Sequence, residues 1–296
     1  MTMKKLLTGI KTVDLSTALP GPLATARLAE MGSVVTKIEP PWGDLLNHIS
    51  PDWYAHINQA KRIRALDLKS DAGQSELTEE LSDADLVVLT MRPGALKRLN
   101  LDPDSMERQF PQLNCVAIVG RLPPRAEQSG HDLTYQASTG LLEPPQIPRF
   151  LLADLMGAER AVEAALGLLF QRRQTGLGGW EWVSLSEAAG VFRSVLDFGL
   201  TASDQILGGG EPRYGLYRAR DGWIALAALE DRLWWRFLEA VDRPDLKDSG
   251  GDLLAANLRK IFAHRTCTQW QELGQENYLP IQAVKSSTSI FRPSQE

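Results

Sequence analysis

Cysteine and histidine are both scarce here, two and four among 296 residues. Cys115 sits in an apolar, strand-like run and Cys267 in a polar helical segment, so the sequence offers no disulfide framework. Both thiols read as structural residues in a reducing cytoplasm. His48, His56, His131 and His264 show no metal-ligand spacing, which argues against a zinc site. No apolar run is long enough to span a bilayer, and Met1 to Leu7 lacks a signal-peptide core. Positive charge is not in excess either. A net charge of -5 argues against a nucleic-acid surface. Internal repeats and low-complexity blocks are absent.

What is present is a chain that is 43% hydrophobic, enough for one large domain with a smaller partner. Lys11 to Ser16 reads as a strand, Leu23 to Met31 as a helix and Val34 to Glu39 as a second strand. That is the parallel crossover unit. A dinucleotide site would place G-x-G-x-x-G in the first turn. The turn reads STALPGP instead, so a nicotinamide or flavin reading falls. Trp42 to Arg62 looks irregular, Ala65 to Leu68 briefly extended, and Ser70 to Leu81 helical. Two further apolar runs, Asp85 to Met91 and Cys115 to Gly120, flank a helix-like segment carrying Lys97 and Arg98. Alternating helices and near-continuous apolar strands predict a buried parallel sheet covered on both faces.

The later part of the chain follows the same logic. A long helix is expected from Ala158 to Phe170, a strand from Trp180 to Leu185, and a helix from Ser186 to Leu200. Gly208-Gly209-Gly210 is the expected hinge, giving a large domain over 1–205 and a small domain over 206–296, with a polar, loose tail from Ser286. In the small domain Asp221-Gly222 is a strong hairpin turn between strands at 214–218 and 223–229.

Chemistry concentrates between Ser129 and Gly157. Gly130-His131-Asp132 is followed by a proline-containing loop and then Leu151-Leu152-Ala153-Asp154. An imidazole and a carboxylate can exchange protons near neutral pH. Taken singly, each has a plain structural reading. Asp154 could cap the helix that follows it, His131 could be a satisfied turn histidine, and Glu230 could be an acid opening a helix at Asp231. Trp234-Trp235 reads as small-domain packing.

Taken together and in order, VDLSTALPGPLATARLAEMG, VVTKIEPP, AKRIRALDLKS, RPGALKRLNL, SGHDLTYQASTG, LLADL, QTGLGGWEWVSLSEA and YRARDGWIALAALE resemble one family. It is the CaiB/BaiF or class III coenzyme A transferases, whose members include the alpha-methylacyl-CoA racemases. The resemblance runs over most of residues 9 to 285. It implies an α/β fold with a Rossmann-like parallel large domain and a smaller α+β domain, in an interlocked homodimer. It implies coenzyme A thioesters as substrates and no prosthetic group.

The resemblance also assigns residues. In the racemases a histidine in a Gly-His-Asp step and an aspartate move the alpha proton, matched by His131 and Asp154. A glutamate after a small-domain strand, matched by Glu230, supports the histidine. In the transferases the aspartate at Asp154 is instead a nucleophile that forms a mixed anhydride. Arg92 and Arg98 match residues near the coenzyme A phosphates. Ala65, Leu66, Asp67 and Leu68 match the segment along the adenine end. Gly130, Asp132 and Tyr135 count as substrate-binding by their place around the histidine. The histidine implies a 2-methylacyl-CoA racemase. A class III CoA-transferase and a degenerate acyl-CoA-binding member are the alternatives. Backbone N–H groups at the helix start after Asp154 are expected to receive the enolate oxygen.

This chain departs from the family pattern in four places. Pro40 stands where many members have an arginine, and the loop Arg121-Leu122-Pro123-Pro124-Arg125 replaces a glycine-rich stretch. Glu159 follows the aspartate at a position otherwise held by small residues. The 131–154 loop and the C-terminal end are short.

Overall fold

The computed structural model describes residues 5–285; the tail expectation from Ser286 onward lies outside them. The chain divides into two compact units, Met1–Arg193 and Ser194–Glu296.

In the first unit six strands form one all-parallel sheet: β1 (Lys11–Leu15), β2 (Val34–Glu39), β3 (Lys61–Ala65), β4 (Leu86–Leu89), β5 (Asn114–Val119) and β6 (Trp180–Ser184). Their order is β3-β2-β1-β4-β5-β6, the doubly wound arrangement. β4 and β5 lie in the interior of the sheet and are buried along their whole length. This is why their sequences are continuous apolar runs rather than alternating ones. One face is covered by helices Pro20–Glu30, Leu152–Thr175 and Leu185–Gly190. On the other lie Asp71–Ser82, Pro93–Arg98 and Pro103–Gln109.

Several expectations move. The stretch expected to be irregular contains helices Leu45–Ile49 and Pro51–Asn58, with Asp44 as N-cap of the first and Pro51 opening the second. β3 falls at Lys61–Ala65 rather than at residues 65–68. It is an edge strand carrying Lys61, Arg62 and Arg64, and its half-exposed polar pattern hides it from an apolar count. The first helix begins at Pro20, not Leu23, because proline is favoured in the first helical turn. The long helix begins at Leu152 and ends at Thr175, with Gly176 left-handed behind it at φ 75°. The helix expected over 186–200 breaks into Leu185–Gly190, a 3₁₀ turn and Ser194–Asp197.

The second unit has a three-stranded antiparallel sheet, β7 (Tyr214–Arg218), β8 (Trp223–Ala227) and β9 (Ile281–Ala283), in that order. Helices Asp231–Ala240, Gly251–Phe262 and Cys267–Glu276 accompany it. Its core is aromatic: Tyr217 and Phe237 stack on Phe262, and Trp270 tilts against the same ring with centroids 4.6 Å apart. Trp234 is buried in this core, whereas Trp235 is half-exposed under Lys247.

In the first unit Gly178 packs against backbone, not side chain. A methyl group there would overlap the Leu113 carbonyl, which cannot swing aside. Gly178→Ala is expected to lower stability by about 1–3 kcal/mol, read as a shift in the denaturant midpoint at unchanged slope.

Candidate active site

In a doubly wound sheet, ligands bind at the carboxyl ends of the strands where the order reverses, here between β1 and β4. A cavity of about 230 Å³ opens there, with walls from Thr17, Ala18 and Pro20 after β1, Thr90 to Arg92 after β4, and Ile118 to Gly120 at the end of β5. Gly130, His131, Tyr135 and Asp154 complete it. A second cavity of about 540 Å³ shares Thr17 and Met91 with the first and is lined by Pro40, Trp42, Leu66, Asp67, Leu68 and Arg98 among others.

The turn between β1 and its helix is tied down by side chains. The Ser16 amide donates to Asp14 Oδ1 at 3.0 Å, the Thr17 amide to Thr90 Oγ1 at 3.0 Å, and the Ala18 amide to Asp44 Oδ1 at 2.9 Å. The Ser16 carbonyl accepts from Lys37 Nζ at 2.7 Å. Ala18 is held left-handed at φ 67°, a conformation that costs a non-glycine residue about 1 kcal/mol or more. Behind the turn lie two buried ion pairs, Lys37–Asp44 at 3.0 Å and Lys61–Asp14 at 3.1 Å, all four side chains fully buried. Burial alone would push the Asp14 carboxyl up, but Lys37 and Lys61 beside it hold it below the usual carboxylate range.

His131 is the N-cap residue of a short helix, Asp132–Gln136. Its amide donates to Thr134 Oγ1 at 3.0 Å, which fixes where the imidazole leaves the backbone. Asp132 turns inward and is buried; its Oδ1 accepts from the Asp154 amide at 3.0 Å and its Oδ2 from Gln136. Asp132 thus stands behind the two chemical groups as their tether and is not in the cavity wall. Asp154 lies inside the first turn of the helix Leu152–Thr175, whose N-cap residue is Leu151. It therefore does not precede the helix and does not cap it. Burial and the neighbouring Asp132 charge raise its carboxyl to about 6, with His131 pulling the other way. A carboxylate raised toward neutrality beside an imidazole is suited to taking and returning protons.

Of the residues singled out in the sequence, Gly130, His131, Tyr135, Asp154 and Arg92 meet in the first cavity. Leu66, Asp67, Leu68 and Arg98 meet in the second. Ala65 ends β3 with an exposed side chain and lies outside both walls. Glu230 belongs to the second unit, at the N-cap of the helix Asp231–Ala240, with no side-chain capping bond. Glu159 also stays out of the cavity walls and pairs with Arg27 at 3.3 Å. The expectation that the helix start would offer its amides fails at Asp154, whose amide is spent on Asp132. Thr17, Thr90 and Gln128 were missed. For the two threonines the signal is positional: Thr90 follows β4 directly and Thr17 lies two residues past β1, at the point of order reversal.

Among the described residues no group of three or more His, Cys, Asp or Glu is arranged to hold a metal, and no helix is long and apolar enough to cross a membrane.

Known proteins bear on this site. The chain is 26% identical over 93% of its length, and over 81% of the relative's, to a probable fatty acyl-CoA transferase of Mycobacterium tuberculosis. It is 27% identical to the human alpha-methylacyl-CoA racemase, over 90% of this chain and 74% of that one. The succinyl-CoA:mesaconate CoA-transferase of Haloarcula hispanica is 28% identical, over 96% and 82%. Among solved structures, a CaiB/BaiF family protein from Brucella suis shares the fold with a TM-score of 0.79 at 24% identity, over 98% of this chain and 86% of that one. The family model for CoA-transferase family III matches residues 7–295, and the chain therefore belongs to that family.

Proposed function

We propose that this protein is an acyl-CoA isomerase that racemises 2-methylacyl-CoA thioesters. The observation that carries the reading is the meeting of His131 and Asp154 in one cavity, with the Asp154 carboxyl raised to about 6. One of the two groups takes the alpha proton, and the C–H bonding pair delocalises onto the thioester oxygen. The other returns a proton to the opposite face, and the roles reverse with substrate handedness. The coenzyme A moiety is assigned to the larger cavity. There Leu66 and Leu68 offer apolar surface and Arg98 a guanidinium suited to phosphate. Glu230 is assigned the support of His131, and the active form is a cytoplasmic homodimer.

A second reading is favoured by the same carboxylate. Asp154 faces the cavity and could attack a thioester carbonyl as the nucleophile of a CoA-transferase, the activity named for the Haloarcula relative. Proton NMR of a 2-methylacyl-CoA in D2O with the purified protein separates the two. Deuterium gain at the alpha carbon is expected. Exchange of coenzyme A between two acids with no alpha deuteration would replace the racemase by the transferase.

A further inference from the structure

Both readings push negative charge onto the thioester oxygen, as an enolate or as a tetrahedral oxyanion, and such charge needs a donor aimed at it. Four amides from cavity-lining residues are already spent. Thr17 donates to Thr90, Ala18 to Asp44, His131 to Thr134 and Asp154 to Asp132. Each acceptor is a side chain of this protein, so the backbone at these points has no N–H left to offer.

The Tyr135 hydroxyl in the same wall is a neutral donor that is not spent. Tyr135 is 3% exposed, its ring packed in the apolar core between the sheet and the helix Leu152–Thr175. Tyr135 nevertheless lines the cavity, and no hydrogen bond joins its hydroxyl to another described residue. Two glycines leave room for it: a methyl at Gly120 would overlap the hydroxyl, and one at Gly130 would come within 2.6 Å of it. The Arg121 guanidinium lies over the ring, 5.3 Å from its centroid. Burial, with Asp154 nearby, raises the phenol and keeps its proton in place, although Arg121 and Arg92 pull the other way. A phenol O–H that opens on a cavity is free to donate to what the cavity holds.

We propose that Tyr135 is a catalytic residue whose hydroxyl donates a hydrogen bond to the thioester oxygen as it gains charge. No proton is transferred from the phenol: the alpha proton goes to the base, the electron pair goes to the oxygen, and the Tyr135 O–H shortens its bond to that oxygen. The inference rests on the acyl-CoA reading of the site, but not on the choice between racemase and transferase.

The test is Tyr135→Phe, which keeps the ring and its packing and removes only the hydroxyl. Acyl-CoA labelled with carbon-13 at the carbonyl is titrated into wild type and variant. Affinity is read by calorimetry and the bound carbonyl by infrared difference spectroscopy. The wild type is expected to shift the carbonyl band to lower frequency. The variant should bind with similar affinity, lose that shift, and turn over about 100-fold more slowly. An unchanged band and rate in the variant would overturn the role of Tyr135 while leaving the acyl-CoA site standing. Failure of the wild type to bind acyl-CoA would overturn both.

Discussion

Asp154→Asn is expected to lose alpha-hydrogen exchange by about a thousandfold or more without losing the fold. The amide cannot take a proton at any working pH, yet it has the carboxylate's shape and leaves the backbone bond to Asp132 intact. Stability should move in the opposite sense to activity. The Asp154 carboxyl is raised from 3.8 to about 6 in the folded chain, so the native state holds that proton more tightly than the unfolded chain. Ionised burial therefore weighs on the native state above about pH 6, and the weight lifts as pH falls from about 6 toward 3.8. The variant should unfold at the same or a higher temperature than wild type at neutral pH. The difference should vanish in acid. In the wild type, the direction that begins with proton removal by Asp154 should lose rate as pH drops through about 6. Deuterium exchange from each separate enantiomer, followed against pH, checks the rate, and thermal unfolding of both proteins against pH checks the stability. Near-normal exchange in Asp154→Asn would show that another group moves the proton.

Asp44→Ala is expected to cost about 3–5 kcal/mol of stability, far more than a typical surface change. It leaves Lys37 fully buried with Glu39, 3.8 Å away, and Asp14, already paired with Lys61, to balance it. The amides of Ala18 and Leu46 also lose their acceptor. Adding Lys37→Met should recover part of the loss, because a buried ion pair removed whole costs less than one broken in half. Guanidinium unfolding of the single and double variants measures this. A cost below about 1 kcal/mol for Asp44→Ala would mean that the pair does not hold the turn. Acyl-CoA affinity should fall in the single variant too, since Thr17 in that turn lines both cavities.

Much of the parallel core was readable because buried strands leave an unmixed apolar signature. β4 and β5 are the clearest cases, and the expected strands overlap them. β3 was misplaced because an edge strand with three basic residues carries no such signature. The helices at Leu45–Ile49 and Pro51–Asn58 are short and start at a cap and a proline. Their signals are local, and a reader of apolar periodicity passes over them. Asp154 was read as standing before its helix because Met156 and Gly157 blur the pattern at that end. In the structure Gly157 is a packing residue, lying where a side chain would overlap Leu185.

By itself the sequence determined the alternation of strands and helices, and hence the sheet and its two helical layers, since apolar period and turn residues are local properties of the chain. It also singled out the two groups proposed to carry protons, because the resemblance to one family assigns that task to the positions of His131 and Asp154. Their meeting in one cavity was decided by the tertiary structure, which folds residues 131 and 154 to the ends of β1, β4 and β5. So were the raised Asp154 carboxyl, which depends on burial and on Asp132, and the spent amides around the cavity, which depend on partners such as Thr90 and Asp44 far away in the chain. Desolvation and hydrogen-bond pairing are set by neighbours in space, and a linear sequence does not carry them.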